Sequence, residues 1–283
     1  MKVCLIGDGL TSFALAKSLI NKKIRVFLYY TNKKKIFSQN RTIGISANNF
    51  DFIEKEIINI NKKFKNNIKE IEIYNEDNRG KKILNFKKSN KDLFYLIKNK
   101  NFYKLLDNSL KKNKNFIKIK IKNKSFYSKI INDHKFDLVI NCDKDNIISK
   151  KYFNKFYSKN YNSYAYVTII NHKKIINNKA IQIFTKLGPL AFLPISETQT
   201  SIIYSIQNKM IYPKLKLNNN EFKKLIFKIN FKYKILSFNK IEKFKLKFNL
   251  LNNYFYKNIL AFGDGLHQKH PLAGQGFNMT LRD

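Results

Sequence analysis

Three short stretches hold residues whose types and spacing could do chemistry. Gly7-Asp8-Gly9 follows the apolar run Val3 to Ile6, and Ser12 comes three residues later. This is the spacing of a dinucleotide turn. The first glycine permits the tight turn, and the second lets the backbone approach a pyrophosphate. The helix that follows turns its positive N-terminus toward the phosphates. The third position favours glycine for close helix–strand packing, and here it is the small residue Ser12. A plain strand–turn–helix without a ligand has the same pattern. The second stretch is Gly263-Asp264-Gly265, after the apolar run that ends at Phe262. A carboxylate there, at the end of a buried strand, can accept from a ligand hydroxyl. The third is Pro271-Leu272-Ala273-Gly274-Gln275-Gly276-Phe277-Asn278. A glycine-rich turn entering a helix lets backbone N–H groups approach a ligand closely, and the helix N-terminus would stabilise negative charge there. His267 and His270 sit three apart, but no acid or Cys cluster accompanies them, so a structural role is favoured over a metal pair. No metal is expected.

The elements around these residues follow from hydrophobic spacing. Lys2 to Ile6 reads as a short buried strand, Ser12 to Ile20 as a helix, and Arg25 to Tyr30 as a second strand. That order opens a βαβ unit, which favours a parallel sheet covered by helices. Ile71 to Tyr74 and Lys82 to Phe86 flank a turn-prone stretch and predict a hairpin. Lys91 to Lys112 predicts a helix, Ile117 to Ile121 a half-exposed strand, and Phe136 to Ile140 a buried strand. Strand signals dominate from Tyr161 to Ile206. Glu221 to Asn230 predicts a helix and Asn258 to Phe262 a final buried strand.

Composition bounds the function classes. The chain has 283 residues, 43% of them hydrophobic, enough for a sizeable core. Its net charge is +37. Only four of the 56 basic residues are arginine (Arg25, Arg41, Arg79 and Arg282). Lys, Asn, Ile and Phe share A+T-rich codons, so genome bias accounts for much of the charge. Nucleic-acid binding would favour Arg with exposed aromatics and is not expected. The Lys111–Lys124 run reads as a solvated face. An anionic membrane surface remains an attractive partner for so many lysines. Cys4 and Cys142 make neither a disulfide framework nor a CxxC, which fits a reducing cytoplasm. The first residues reach glycine too early for a signal peptide, and no run of about 18 apolar residues is present.

The tail as a whole, Gly263-Asp264-Gly265-Leu266-His267 through His270-Pro271 and Gly274-Gln275-Gly276-Phe277-Asn278 to Arg282-Asp283, resembles the signature of FAD-dependent aromatic hydroxylases with the para-hydroxybenzoate hydroxylase fold. Its details resemble the ubiquinone-biosynthesis hydroxylases among them. Phe184 to Pro194, with Gly188-Pro189-Leu190-Ala191 at its centre, is similar to a second stretch of that family. Arg41-Thr42-Ile43-Gly44-Ile45-Ser46 is similar to a third. With the Gly7 turn, the four pieces stand in family order along the chain.

The resemblance implies an α/β protein, with a Rossmann-like FAD-binding domain (a parallel sheet with helices) interrupted by a β-rich substrate domain. The first would comprise residues 1–70, 90–155 and 254–283, and the second 71–89 and 156–253. It implies a monooxygenase that hydroxylates a polyprenylated phenol in ubiquinone biosynthesis, using NAD(P)H and O2 through a flavin C4a-hydroperoxide. Gly7, Gly9 and Ser12 would serve the pyrophosphate, and Asp264 the ribityl chain. Pro271, Gly274, Gln275, Gly276 and Asn278 would place the flavin ring. Arg41 is a candidate phosphate or ribityl contact, and Asp143 a further cofactor contact. The cofactor chemistry needs no side-chain nucleophile, so no catalytic residue is assigned. The location implied is cytoplasmic, peripheral on the inner membrane, beside other quinone-biosynthesis enzymes.

Three positions depart from the family pattern: Ser12, the missing acid after Tyr30, and Lys144 where the family has glycine. The family also continues well beyond the residues matching Arg282-Asp283, so a fragment or a short member is expected. The alternative is a non-catalytic scaffold or lipid-binding subunit of a quinone-biosynthesis complex.

Overall fold

The computed structural model of the chain describes residues 1–31, 40–77, 81–89, 91–132, 135–207, 217–268 and 275–283. The chain opens with β1 (Lys2–Ile6), α1 (Leu10–Asn21) and β2 (Arg25–Tyr30). β3 (Thr42–Ser46), α2 (Ala47–Phe52), β4 (Lys65–Ile68), β5 (Glu70–Asn75) and β6 (Lys82–Lys87) follow. Then come β7 (Phe94–Lys98), α3 (Asn99–Lys111), β8 (Phe116–Lys120), α4 (Ser125–Asn132), β9 (Leu138–Asn141) and α5 (Ile147–Tyr152). The next segment is β10 (Phe156–His172), β11 (Lys179–Thr185), β12 (Gly188–Ser196), β13 (Gln199–Gln207), α6 (Asn219–Ile229) and β14 (Ile235–Phe238). β15 (Glu242–Leu251), β16 (Phe255–Tyr256), β17 (Ile259–Ala261), β18 (His267–Gln268) and α7 (Gln275–Thr280) complete it.

A six-stranded sheet runs β16-β17-β9-β1-β2-β8. Its pairs are parallel except β16 with β17. β1 is apolar from Val3 to Ile6 because both its faces are covered. Val3 and Leu5 pack with Phe13 and Ala16 of α1 and Phe102 and Leu106 of α3. Cys4 and Ile6 point the other way, to Tyr127 and Ile130 of α4 and Ile148 of α5. Desolvation pushes the Cys4 thiol far above its ordinary pKa, so it stays a neutral core residue.

A larger sheet has the order β18-β15-β10-β13-β12-β11-β5-β6, with β14 added beside β10. It is antiparallel except where β5 lies parallel to β11. The predicted 71–89 hairpin is β5 and β6, and through β11 it joins the sheet built mainly from residues 156–251. Phe222 and Ile226 of α6 cover one face. A small sheet, β3-β7-β4, lies against the other, where Ile68 and Leu96 meet Ala180 and Leu193. In the tail, β18 pairs with the edge strand β15.

One expected element is different. Lys91 to Lys112 is not one helix: β7 takes Phe94 to Lys98 and α3 starts at Asn99. Phe94-Tyr95-Leu96-Ile97 is a continuous run of aromatic and branched residues flanked by partners on both sides, β3 and β4. Pairing there outweighs the helical spacing of Leu93, Leu96 and Ile97.

Candidate functional site

The carboxyl ends of β1, β9 and β17 lie side by side and open into turns at Gly7, Cys142 and Gly263. Ligands of open α/β sheets sit at such ends. Gly7 has φ 125°, in the region that favours glycine, and its N–H donates to the Tyr29 carbonyl at 2.9 Å. A methyl on Gly7 would lie 3.1 Å from Ser12 Oγ and 3.4 Å from Cys142 Cβ. Gly9 is the extended N-cap of α1. No side chain caps this helix, and its first turn holds no acid. Its leading N–H groups and positive dipole end therefore suit an anion. Ser12 is 1% exposed, and its Oγ is buried without a partner. Such an orphaned hydroxyl costs about 1–3 kcal/mol unless a ligand completes it.

The Gly263–Gly265 turn closes over the same place. The Phe262 N–H donates to the Asn141 carbonyl at 3.0 Å, which fixes β17 beside β9. Gly263 has φ 64°, and a methyl there would lie 2.6 Å from Thr11 Cγ2. The second glycine turn thus packs on the first turn of α1, which follows the Gly7–Gly9 turn more than 250 residues earlier in the sequence. Asp264 sits on the solvent side of this joint, where its carboxylate is accessible to a ligand hydroxyl.

The loop after β9 is held by its own hydrogen bonds. Asn141 Nδ2 donates to Ser149 Oγ at 2.8 Å, and Asn146 Nδ2 donates to Asn141 Oδ1 at 2.7 Å. Ser149 Oγ donates to the Asp143 carbonyl at 2.7 Å. One Asp143 carboxylate oxygen accepts the Asp145 N–H at 3.0 Å, closing an Asx turn. Lys144 is not among the residues at positive φ, so this backbone does not demand the family's glycine.

Other expected site residues separate here. The Arg41 side chain is exposed, while its carbonyl accepts the Asn99 N–H at 3.0 Å. Asn278 is expected at the flavin ring, but its amide is taken up by the protein. It donates to the Gly44 carbonyl and accepts from the Ser46 N–H at 3.0 Å and from Asn49 Nδ2 at 2.9 Å. Its role is to fasten α7 to β3 and α2. Gly276 faces open space, with nothing within 4 Å of an added methyl. Pro271, Gly274 and His270 lie outside the described residues, as does the side chain of Gln275. His267 is buried, and its Nε2 lies 2.7 Å from Asp283 Oδ2, a tie between β18 and the final residue. Among the described residues, no group of three or more potential metal ligands comes together.

Sequence reasoning missed two polar atoms. Ser46 Oγ and Asn99 Oδ1 are buried and unpartnered. They stand at opposite ends of β3: Ser46 ends the strand beside Asn278, and Asn99 begins α3 beside Arg41. Ser46 was within reach, because it ends the Arg41–Ser46 segment. Asn99 carried no signal once the preceding residues were read as helix. Of the three, the Ser12 hydroxyl stands at the uncapped start of α1, where a phosphate-bearing ligand such as FAD would complete it. One element of the usual site is absent: β2 ends in Tyr29-Tyr30 without an acid. Lys118, from β8, places its ammonium 5.1 Å from the Tyr30 ring.

Comparison with known proteins fits this geometry. The fold is that of FAD-dependent monooxygenases. PqsL, a probable FAD-dependent monooxygenase from Pseudomonas aeruginosa, superposes with TM-score 0.76 over 99% of this chain and 83% of its own, at 13% identity. The p-nitrophenol 4-monooxygenase PnpA from Pseudomonas putida gives TM-score 0.74 at 10% identity, over 99% and 76%. At such identities the likeness is one of fold. Sequence similarity is more particular and points to ubiquinone hydroxylases. The chain is 25% identical over 126 residues to ubiquinone hydroxylase UbiL of Rhodospirillum rubrum, across 44% of this chain and 29% of that protein. It is 26% identical over 163 residues to the mitochondrial ubiquinone biosynthesis monooxygenase COQ6 of Caenorhabditis elegans, across 44% and 36%. The matched stretches thus span about a third of these curated relatives. No protein-family model matches the chain.

Proposed function

We propose that this chain is the FAD- and substrate-binding body of a monooxygenase that hydroxylates a polyprenylated phenol for ubiquinone biosynthesis. The observation that carries it is the packing of the second glycine turn on the start of α1. Gly263 packs on Thr11, in the first turn of the helix that follows Gly7 and Gly9, which supports reading the N-terminal turn and the tail as a single dinucleotide site. The similarity to UbiL and COQ6 supports the choice of substrate class. Bound FAD would supply the redox chemistry, taking electrons from NAD(P)H and delivering one oxygen atom of O2 to the activated ring.

The chain's own residues bind and orient. The open N-terminus of α1 and the Gly7–Gly9 backbone hold the pyrophosphate, and Ser12 Oγ adds a hydrogen bond. Asp264 accepts from a ribityl hydroxyl. Ser46 and Asn99 offer buried acceptors along the cofactor, and Asn278 fixes the helix that leaves the Gly276 turn.

The test is oxygen-dependent NAD(P)H oxidation by the FAD-loaded protein, with short-chain polyprenylphenols added in turn. The expected result is faster oxidation with a stoichiometric hydroxylated product. Faster oxidation that yields only hydrogen peroxide with every phenol would contradict the proposed substrate.

A further inference from the structure

We infer that the junction between the two large sheets is a docking surface for an anionic lipid bilayer. It lies at the far ends of β10 and β15. β10 pairs with β13 only from Ser163, so Phe156–Asn160 and Lys247–Leu251 form a narrow arm, edged beside Asn249 and Leu250 by the two-residue strand β18. Tyr157 lies opposite Leu250 on this arm, with its ring edge-on to Phe248 at 6.0 Å. The chain then turns into β16, held beside the base of the arm by the Asn252 N–H donating to the Lys155 carbonyl at 3.1 Å. Tyr254 and Phe255 have ring centres 6.3 Å apart, and Tyr256 stacks on Tyr152 at 4.4 Å.

Phe156, Tyr157, Leu250, Tyr254, Phe255 and Tyr256 are all exposed, with Tyr157 and Phe255 at 61% and 60%. A soluble surface scatters such residues singly; a group of them marks a binding face. Tyrosine with phenylalanine and leucine is the composition that settles at the headgroup level of a bilayer.

Charge decides the occupant. Residues 150–160 and 247–258, which build this junction, contain six lysines and no acid. Lys151 and Lys257 hold their ammonium groups 5.2 and 5.8 Å from the Tyr152 and Tyr256 rings. Lysines beside interfacial aromatics are drawn to anionic headgroups while the rings enter the boundary. A second copy of the chain would bring the same positive charge against this face. Nucleic acid would favour bidentate guanidinium groups, and none of the four arginines lies in these two segments. The inference stands apart from the flavin reading, since it uses the exposure and charge of the arm and of β16 and no residue of the Gly7 or Gly263 turns.

The test is flotation of the purified protein with phosphatidylcholine vesicles, with and without phosphatidylglycerol. Binding should require phosphatidylglycerol and weaken as salt rises. Replacing Tyr157, Tyr254 and Phe255 by Ser keeps the charge and should lower partitioning about tenfold or more. Replacing Lys151, Lys155 and Lys257 by Gln should cost about fivefold for each lysine. All six side chains are exposed, and unchanged thermal unfolding of the variants confirms that they fold. Removing Lys111, Lys112 and Lys114 from the distant basic run should have a clearly smaller effect. Equal losses from the distant lysines, wild-type binding by the serine variant, or no vesicle binding would overturn the inference. So would oligonucleotide binding, or a concentration-dependent dimer, abolished by the same serine changes.

Discussion

Gly263 holds φ 64°, and an added methyl would meet Thr11 Cγ2 at 2.6 Å. Gly263→Ala should therefore cost about 1–3 kcal/mol of stability, visible as a lower unfolding temperature, and should loosen FAD. Ser12→Ala separates ligand binding from folding. Its buried Oγ has no protein partner, so folding should be unaffected or slightly favoured, while FAD affinity falls about fivefold through one lost hydrogen bond. Unchanged affinity would remove Ser12 from the site. Glu72 predicts an acid response. Burial alone would raise its carboxyl, but hydrogen bonds from Lys82 and Tyr74, with the Lys179 charge, bring it from the ordinary 4.5 down to about 2. A lowered folded pKa contributes stability above the ordinary value and loses it as pH falls through the folded one. Stability should fall between about pH 4.5 and 2, and this fall should be shallower in Glu72→Gln. Lys82 and Lys179 are partly exposed, so high salt should also flatten it. At this scale the glycines were legible because turns at positive φ restrict residue type. The motif did not reveal the structural part of Asn278, whose amide is held by Gly44, Ser46 and Asn49, residues more than 200 positions away.

Among the elements, α7 depends on that amide. Asn278→Ala removes hydrogen bonds to Gly44, Ser46 and Asn49. It should cost about 1–3 kcal/mol, and hydrogen exchange should quicken over residues 275–283 before the rest of the chain responds. Uniform protection would show α7 to be held by other contacts. The element reading succeeded where one signal dominated. β1 is an unbroken apolar run before glycine, and α6 spaces Phe222 and Ile226 four apart, both buried on one face. It failed at Phe94–Lys98, where strand formation is decided by two partner strands that local spacing does not reveal. Pairing of β5 with β11 was equally hidden from local pattern. It joins residues about 110 positions apart, Glu70 to Lys179, and is held by burial of Ile181 and Ile183 with Tyr74 and by the Lys179 ammonium 2.8 Å from the Glu70 carboxylate.

The whole molecule carries +37 charges in 283 residues, and self-repulsion opposes the compact state. Added salt should raise the unfolding temperature, and a fall instead would mean that ion pairs outweigh repulsion. The division into a parallel layer and a β-rich layer followed from the motifs and their order. Their contact did not, because it depends on the small β3-β7-β4 sheet, whose Ile68 and Leu96 bury against Ala180 and Leu193. The central claim is that Gly7, Ser12 and Gly263 form one FAD site despite the missing acid after β2. The visible absorption spectrum of the purified protein, with any released cofactor identified chromatographically, tests it most directly. Bands near about 375 and 450 nm, with FAD released on heating, are the predicted result. A colourless protein that takes up no FAD when the cofactor is added would contradict it.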